Sequence, residues 1–345
     1  MPAKNSSVED ILESMGERPL IDLRTPSEFR RGHIPGAVNI PLFNDEERAR
    51  VGKTYKQVHP REALLEGLEY VGPKMRDIVE KAEFLADGSR VAVHCWRGGK
   101  RSASVGWLLD FAGMEVAVME GGYKAFRHYV LDYFEKAAHQ FIVLGGRTGS
   151  GKTEILSQLR DRGEQVIDLE GLARHKGSAF GGLGQGDQPS GEQFENELQA
   201  ILAKFDPDRP VWIENESQGI GRVYIPETLW DKFLHAPIIQ LEVPLKKRVD
   251  RLTSEYAGFD KAELREAFYK ISKRLGGQHL KRALEALGRD DYSEAATIAL
   301  RYYDKAYDHS LGRRTPVLAE KLVLKGSFSP PEVVNELMKI SLQVD

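Results

Sequence analysis

The segment from Phe141 to Leu159 restricts the fold more than any other part of this 345-residue sequence. An apolar run, FIVLG, is followed by GRTGSGKT at residues 146–153 and then by the helical pattern EILSQL. A GxxxxGK[ST] pattern between a strand and a helix forms a loop whose backbone N–H groups surround phosphate oxygens. Because the neighbouring sequence also alternates short apolar runs with helical patterns, we predict an α/β fold with parallel sheets.

This phosphate-binding loop, or P-loop, is predicted to hold a diphosphate. Lys152 would neutralise the phosphate charge, and Thr153 would ligate Mg²⁺. The predicted diphosphate-binding residues are Gly146, Gly149, Ser150, Gly151, Lys152 and Thr153. The pattern leaves open whether ATP or another diphosphate ester binds, because the sequence shows no separate adenine-binding signature. It predicts no metal site built by a cluster of protein ligands.

Acidic residues follow two further predicted strands, at Val166–Leu169 and Val211–Ile213. A carboxylate on a strand next to the P-loop commonly orients magnesium or a substrate. The alternative, a set of solvated carboxylates at strand ends, stays open for each of them. The candidates are Asp168, Glu214 and Glu216, with Glu170 beside them.

A single cysteine, Cys95, excludes an internal disulfide or a multi-cysteine metal site and predicts a reducing cytoplasm. The surrounding sequence predicts a strand at Arg90–His94, a short loop, and a helix that starts near Ser102. Loop N–H groups, the helix N-terminus and nearby cations favour a reactive thiolate over a buried structural cysteine. The predicted oxyanion-binding residues are Arg97, Gly98, Gly99, Lys100 and Arg101.

The upstream segment IDLRTPSEFRRGHIPGAVNIPL, residues 21–42, resembles the signature of the rhodanese superfamily, whose loop cysteine carries a persulfide. The resemblance covers about residues 8–130 and rests on Asp22, Arg24, Glu28 and the GHIPGA turn. The loop HCWRGGKRS also fits the HCxxGxxRS pattern of cysteine-dependent phosphatases, and ordinary rhodaneses have a loop shorter by one residue. The loop therefore suits a phosphate-sized group such as thiophosphate or selenophosphate, and both chemistries remain open.

These patterns predict three regions: a rhodanese-like domain at 1–130, a helical linker at 131–140, and a P-loop domain at 141–345. After about Pro244 the pattern is mainly helical, and the Gly-rich run at 176–191 predicts a loop that either covers a ligand or connects two elements. Other predicted strands are Leu20–Leu23, Val116–Met119 and Ile238–Val243, and other predicted helices are Glu62–Leu85, Ser102–Phe111 and Tyr123–His139.

Composition gives weaker constraints on partners. No apolar run is long enough for a membrane span, and the N-terminus has no apolar h-region, so we expect neither a membrane partner nor a secretory signal. The net charge is −3, yet residues 245–314 contain 16 Lys and Arg against 11 Asp and Glu. Such a segment is either an RNA-phosphate surface or a solvated helical surface of mixed charge. Its candidate phosphate contacts are Lys246, Lys247, Arg248, Arg251, Lys273, Arg274, Lys281 and Arg282.

A rhodanese-like domain followed by a P-loop domain, with the runs DLEGLARHKGSAFG (168–181) and ENESQGIGRVYIP (214–226), resembles the tRNA 2-selenouridine synthase family. The resemblance implies replacement of the sulfur of wobble 2-thiouridine by selenium, through an S-geranylated intermediate, in tRNAs for lysine, glutamate and glutamine. It implies selenophosphate and geranyl diphosphate as substrates, no tightly bound cofactor, and a selenophosphate synthase as donor partner.

On this resemblance Cys95 would accept or deliver selenium, Arg97 and Arg101 would hold selenophosphate, and the P-loop would hold geranyl diphosphate. Trp96 would either stack on a splayed base or pack at the pocket rim. The alternatives are a cysteine-dependent phosphatase, a generic sulfurtransferase fused to a nucleotide-binding domain, and a non-catalytic regulatory module.

Overall fold

The computed structural model describes residues 3–87, 89–311, 318–323 and 330–341. The chain divides into two compact units. The first unit contains residues 1–133 and 195–200, and the second contains residues 134–194 and 201–345. None of the described helices combines the length and the apolar composition that a membrane span requires.

The first unit is built on a parallel five-stranded sheet of order β1-β5-β4-β2-β3. Its strands are β1 (Lys4–Ser6), β2 (Leu20–Asp22), β3 (Val38–Asn39), β4 (Arg90–His94) and β5 (Glu115–Met119). Its helices are α1 (Val8–Ser14), α2 (Pro26–Arg31), α3 (Asp45–Gln57), α4 (Pro60–Val71), α5 (Met75–Leu85), α6 (Lys100–Phe111) and α7 (Gly122–Lys136). A 3₁₀ turn at Gly72–Lys74 lies between α4 and α5. The last three residues of α7 belong to the second unit.

Local sequence explains most of these elements. β2 is buried throughout, and four of the five residues in β4 and in β5 are buried, as expected for central strands of a parallel sheet. The predicted helix at Glu62–Leu85 is interrupted at Gly72–Lys74, because Pro73 has no backbone N–H to continue the helical hydrogen bonds.

The second unit contains another parallel five-stranded sheet, of order β12-β11-β6-β8-β7, and a two-stranded antiparallel ribbon of β9 and β10. Its strands are β6 (Phe141–Gly146), β7 (Gln165–Ile167), β8 (Val211–Glu214), β9 (Gly219–Ile220), β10 (Val223–Tyr224), β11 (Ile238–Glu242) and β12 (Leu318–Val323). The helices are α8 (Lys152–Asp161), α9 (Leu169–Ala173), α10 (Gly191–Leu202), α11 (Glu227–His235), α12 (Leu245–Tyr256), α13 (Lys261–Lys270), α14 (Ser272–Leu275), α15 (Gly277–Gly288), α16 (Tyr292–Leu311) and α17 (Pro330–Ser341).

The central strand of this second sheet, β6, is buried along its whole length and leads directly into the P-loop. Loops at the carboxyl ends of parallel strands commonly form the ligand site of such sheets. Besides the core that packs on the sheet, helices α12 to α16 share a second core around Leu252, Leu264, Phe268 and Leu287. Phe180, from the Gly-rich run, also belongs to that helical core.

The predicted α/β fold with two parallel sheets is confirmed, but three edge strands, β1, β3 and β12, and the ribbon of β9 and β10 were missed. β1 is only three residues long, with the polar sequence KNS, so it has no apolar pattern to detect. β12 lies within the part predicted to be mainly helical, where it pairs with β11. Helix α6 begins at Lys100, two residues before the predicted start near Ser102.

Candidate functional site

The loop after β4 surrounds Cys95, the only cysteine of the chain. Cys95 is 3% exposed, and its Sγ lies 3.3 Å from the hydroxyl oxygen of Ser102 in the first turn of α6. The Ser102 hydroxyl donates to the carbonyl oxygen of Gly99 at 3.1 Å. The thiol is therefore held against the N-terminus of the helix that follows it.

Backbone donors concentrate around this thiol. The N–H groups of Arg97 and Ser102 donate to the Cys95 sulfur. No backbone carbonyl among the described residues accepts a hydrogen bond from the N–H of Trp96, Gly98 or Gly99. Trp96 and Gly98 are half-buried and Gly99 is exposed, so these N–H groups are open to take a ligand or water as partner.

The pKa of Cys95 reflects opposing effects. Burial raises the pKa. The Ser102 hydroxyl, the N–H groups of Arg97 and Ser102, and the charge of Arg101 lower it by more than burial raises it. The net result is a pKa below the ordinary value for a cysteine. The loop therefore favours the thiolate, which is the nucleophilic form.

This shift predicts how the reactivity of Cys95 depends on pH. Alkylation by iodoacetamide should have its midpoint below the usual thiol value of about 8.5 in the folded protein. The urea-unfolded chain is a matched control, since it contains the same single thiol without the loop. Equal midpoints in the folded and the unfolded chain would show that the loop does not stabilise the thiolate.

The three predicted loop cations differ in their surroundings. The side chains of Arg97 and Lys100 are exposed, whereas Arg101 is half-buried. Arg101 Nη1 donates to Glu28 Oε2 at 3.3 Å. Glu28 also accepts from the backbone N–H of Thr25 and so caps α2. Of the three cations, Arg101 is thus the one that an ion pair with helix α2 holds in place near the thiolate.

A second glycine turn, which sequence reasoning missed, supports the cysteine loop. Gly98, Gly121 and Gly122 all have φ between +59° and +67°. A Cβ on Gly122 would lie 2.2 Å from the Cys95 carbonyl oxygen and 2.5 Å from the Gly98 nitrogen. The N–H of Tyr123 donates to that same carbonyl oxygen at 2.8 Å. The pair of glycines directly after β5 was the available signal.

Gly122→Ala should therefore destabilise the protein by at least about 4 kcal/mol, because it combines backbone overlap with an unfavourable φ. The measurement is urea unfolding of the purified variant. Gly113→Ala is the control, since Gly113 also has positive φ but nothing lies within 4 Å of its added Cβ. That control should lose only about 1–2 kcal/mol; equal losses for the two variants would contradict the role of close packing.

The rhodanese-like residues upstream form a buried ion pair beside the loop. Arg24 and Asp22 are both fully buried, and Arg24 Nη2 donates to Asp22 Oδ2 at 2.6 Å and to the Gly32 carbonyl oxygen at 2.7 Å. The Arg24 guanidinium lies 3.6 Å from the ring centre of Tyr123. Trp96 is half-buried and packs on Tyr123 with 5.7 Å between ring centres.

The P-loop connects β6 to α8, as predicted, and Gly149 and Gly151 adopt positive φ within it. Lys152 Nζ donates to the carbonyl oxygen of Gly146 at 2.9 Å, across the centre of the loop. The lysine is therefore positioned where phosphate oxygens bind such loops.

Helix α16 holds this loop from the far end of the sequence, which sequence reasoning did not predict. The Tyr307 hydroxyl accepts from the Gly146 N–H at 2.8 Å. Asp308 forms a two-oxygen ion pair with Arg147 at 2.9 Å. These contacts span about 160 residues of sequence, so no local pattern could have revealed them.

The prediction of RNA-phosphate contacts in the basic segment at 245–314 is corrected for one residue. Arg248 is 3% exposed, binds both carboxylate oxygens of Asp304 at 2.8 Å, and donates to the Thr148 carbonyl oxygen at 3.3 Å. Its predicted role as an RNA-phosphate contact is wrong, because it is a buried support of the P-loop. Arg251 and Arg274 line the cavity at the P-loop. The remaining candidates are exposed: Lys246, Lys247, Lys273, Lys281 and Arg282.

Two of the four acidic candidates line the P-loop cavity, and the other two bind backbone N–H groups elsewhere. Glu170 and Glu216 line the P-loop cavity, and the Thr153 hydroxyl donates to Glu170 Oε2 at 3.3 Å. Asp168 instead caps α9 by accepting from the Gly171 N–H. Glu214 is 2% exposed and accepts from the backbone N–H of Leu169 at 3.0 Å.

Burial and then the charge of Glu170 raise the pKa of Glu216 to about 8, although Lys152 opposes the shift. A neutral Glu216 at pH 7 would not repel a bound diphosphate. Within the described ranges, no group of three or more His, Cys, Asp or Glu residues is arranged to hold a metal ion.

The P-loop opens into a cavity of about 660 Å³ within the second unit. Gly149 to Thr153 of the P-loop belong to its lining. The Gly-rich run has no helix or strand at 174–190, as predicted, and it lines the cavity through Lys176 to Ser178 and through Phe180 and Gly181. The apolar wall consists of Phe180, Leu183, Leu252, Tyr256, Phe259 and Tyr303.

Phe180 links this wall to the helical core. Its ring stacks on Tyr256 with 5.3 Å between centres and meets Phe268 edge-on at 5.0 Å. The Tyr303 hydroxyl accepts from the N–H of Ala179, which fixes the run beside Phe180. The lining of the cavity thus includes both the P-loop and packed aromatic rings.

Comparison with known proteins gives matches to both parts of the chain. Residues 6–129 match the family described as "Rhodanese-like domain". Residues 139–330 match the family described as "tRNA 2-selenouridine synthase AAA domain".

Two relatives are named tRNA 2-selenouridine synthase. The protein of Sulfurovum sp. is 37% identical over 91% of this chain and 93% of its own length. The protein of Hydrogenovibrio crunogenus is 37% identical over 86% of this chain and 90% of its own. A solved structure of the N-terminal domain of a putative ATP/GTP binding protein from Clostridium difficile 630 is 38% identical, covers 37% of this chain and 99% of that chain, and gives a TM-score of 0.36.

Proposed function

The chain belongs to the tRNA 2-selenouridine synthase family, and from that premise we propose that it selenates wobble 2-thiouridine through an S-geranylated intermediate. Geranyl diphosphate occupies the P-loop cavity, and selenophosphate occupies the cysteine loop. The tRNA substrates are those for lysine, glutamate and glutamine.

One observation carries the choice of a prenyl diphosphate: the P-loop and an aromatic wall line the same cavity. A cavity of about 660 Å³ lies within the range of small-molecule sites. A geranyl chain is apolar and unsaturated, so it gains free energy by leaving water for the rings of Phe180, Tyr256 and Phe259. Its diphosphate satisfies the N–H groups of the P-loop.

The transfer needs stabilisation of a leaving group. The thiocarbonyl sulfur at C2 of the uridine attacks C1 of the geranyl chain, a C–S bond forms, and the C–O bond breaks with its electron pair leaving on diphosphate. The uridine N3 proton is released. Lys152 neutralises the charge that develops on the departing diphosphate. Arg251 supplies a second cation at the same end of the cavity, where its Nη2 lies 3.1 Å from Glu154.

Magnesium would add positive charge at the diphosphate. The hydroxyl of Thr153 and the nearby carboxylate of Glu170 are oxygen donors of the kind that Mg²⁺ prefers. The remaining ligands would come from the diphosphate and water, because the protein offers no complete cluster within its described residues.

Reconstitution tests this proposal. Purified protein with 2-thiouridine tRNA and geranyl diphosphate should form S-geranyl-2-thiouridine, and added selenophosphate should convert it to 2-selenouridine, as measured by nucleoside mass spectrometry. ATP replacing geranyl diphosphate should give neither product. Selenation at full rate without any prenyl diphosphate would contradict the proposal.

A further inference from the structure

The electron balance of selenium delivery restricts what Cys95 does. Selenium in selenophosphate is already at the reduction level of hydrogen selenide. Moving it onto the cysteine sulfur as a perselenide forms an S–Se bond, which requires either an external oxidant or release of phosphorus as phosphite. The proposed reaction supplies no oxidant. Attack at phosphorus, by contrast, changes no oxidation state.

We propose that Cys95 attacks the phosphorus of selenophosphate and forms a cysteinyl-S-phosphate, releasing hydrogen selenide anion beside the tRNA. This inference rests on the proposed function, in which selenophosphate is the donor. An S–P bond forms and the P–Se bond breaks with its electron pair leaving on selenium. Water then attacks phosphorus, giving inorganic phosphate and the Cys95 thiolate, and the hydrogen selenide displaces geranylthiol at C2 of the uridine.

The loop geometry suits attack at phosphorus. Five residues separate Cys95 from Arg101, and no described carbonyl accepts from the N–H groups of Trp96, Gly98 and Gly99. A phosphoryl group in transfer spreads negative charge over three equatorial oxygens, so it needs several donors at once. A perselenide carries a single terminal selenium and would need no such set of donors around the sulfur.

Ser102 connects the two halves of the reaction. A hydroxyl has one hydrogen, and the Gly99 carbonyl oxygen, 3.1 Å from the Ser102 Oγ, can only accept it. When the thiol ionises, the same hydrogen can turn to the sulfur, 3.3 Å away. Ser102 therefore stabilises Cys95 both as nucleophile and as the thiolate that leaves when the phosphocysteine is hydrolysed.

The carboxylates beside the loop explain why this step favours selenophosphate over ordinary phosphate esters. Glu28 is bound to Arg101 and Thr25, and Asp22 is fully buried against Arg24. Neither is placed to protonate an alkoxide leaving group, which an ordinary phosphatase must do. Hydrogen selenide leaves as a stable anion and needs no proton donor.

The test uses selenophosphate labelled with ³²P or with ⁷⁵Se and the full-length protein, with and without geranylated tRNA. Rapid mixing followed by quenching in neutral denaturant should label the wild-type protein with ³²P and not with ⁷⁵Se, and Cys95→Ser should stay unlabelled. Once labelled, Ser102→Ala should lose its ³²P about 10- to 100-fold more slowly than the wild type after a chase with unlabelled selenophosphate, since it lacks a hydrogen bond to the departing thiolate.

Ser104→Ala is the matched control, because Ser104 lies on the same helix with an exposed side chain bonded to the Arg101 carbonyl oxygen. It should match the wild type in label and rate. Cys95-dependent ⁷⁵Se on the protein without ³²P, in an enzyme that does selenate tRNA, overturns the phosphocysteine and leaves the proposed function standing. Absence of selenation by the wild-type protein overturns the proposed function itself. If Ser102→Ala fails to fold, the wild-type label alone still decides between phosphorus and selenium.

Discussion

Cys95→Ser is expected to lower the rate of 2-selenouridine formation by about 1,000-fold or more, while geranyl transfer continues. Serine preserves the size of the side chain, but its hydroxyl does not ionise at neutral pH, so the loop loses its nucleophile. S-geranyl-2-thiouridine should therefore accumulate in the tRNA. The measurement is the ratio of the two nucleosides after reaction with both donors.

The sulfur-to-oxygen change is small for a residue that is 3% exposed, so the fold should persist. A thermal unfolding curve and an unchanged geranyl-transfer rate are the controls. Selenation of geranylated tRNA by Cys95→Ser at more than about a tenth of the wild-type rate would show that selenium does not pass through this loop.

Lys152→Ala should reduce geranyl transfer by about 100- to 1,000-fold, because the variant loses the cation that stabilises the departing diphosphate. Selenation from 2-thiouridine tRNA should fall in parallel, since its intermediate is no longer made. Selenation should be restored when S-geranylated tRNA is supplied directly. Initial rates with each tRNA substrate measure the two effects.

Lys339→Ala is the control for removing a lysine from the same unit, because the Lys339 side chain is 68% exposed and donates to Glu336 Oε1 at 2.8 Å, within helix α17. Its rates should match those of the wild type. Intact geranylation by Lys152→Ala, with loss of selenation only, would mean that the P-loop does not hold the prenyl donor.

Local patterns in the sequence predicted the parts of both sites that lie on one continuous segment. The strand, loop and helix around Cys95 and around Lys152 each span fewer than about 25 residues, so residue order determines their geometry. The Gly-rich run at 176–191 was predicted as irregular for the same reason, since its glycines disfavour regular elements.

The supports of these sites depend on distant parts of the chain and could not be predicted. Gly122 matters because its backbone packs on the Cys95 carbonyl, which only the folded sheet brings near. Tyr307 and Asp304 act on the P-loop across more than 150 residues. For Arg248 a role was predicted that the residue does not have. Its basic sequence context suggested an exposed RNA contact, whereas tertiary packing buries it against Asp304.

The most direct test of the account is mass spectrometry of wobble nucleosides in tRNA from cells that lack this protein and are complemented with wild type, Cys95→Ser or Lys152→Ala. Wild type should restore 2-selenouridine, Cys95→Ser should give S-geranyl-2-thiouridine without selenium, and Lys152→Ala should leave 2-thiouridine unmodified. Undiminished 2-selenouridine in cells without the protein, or with either variant, would contradict the account.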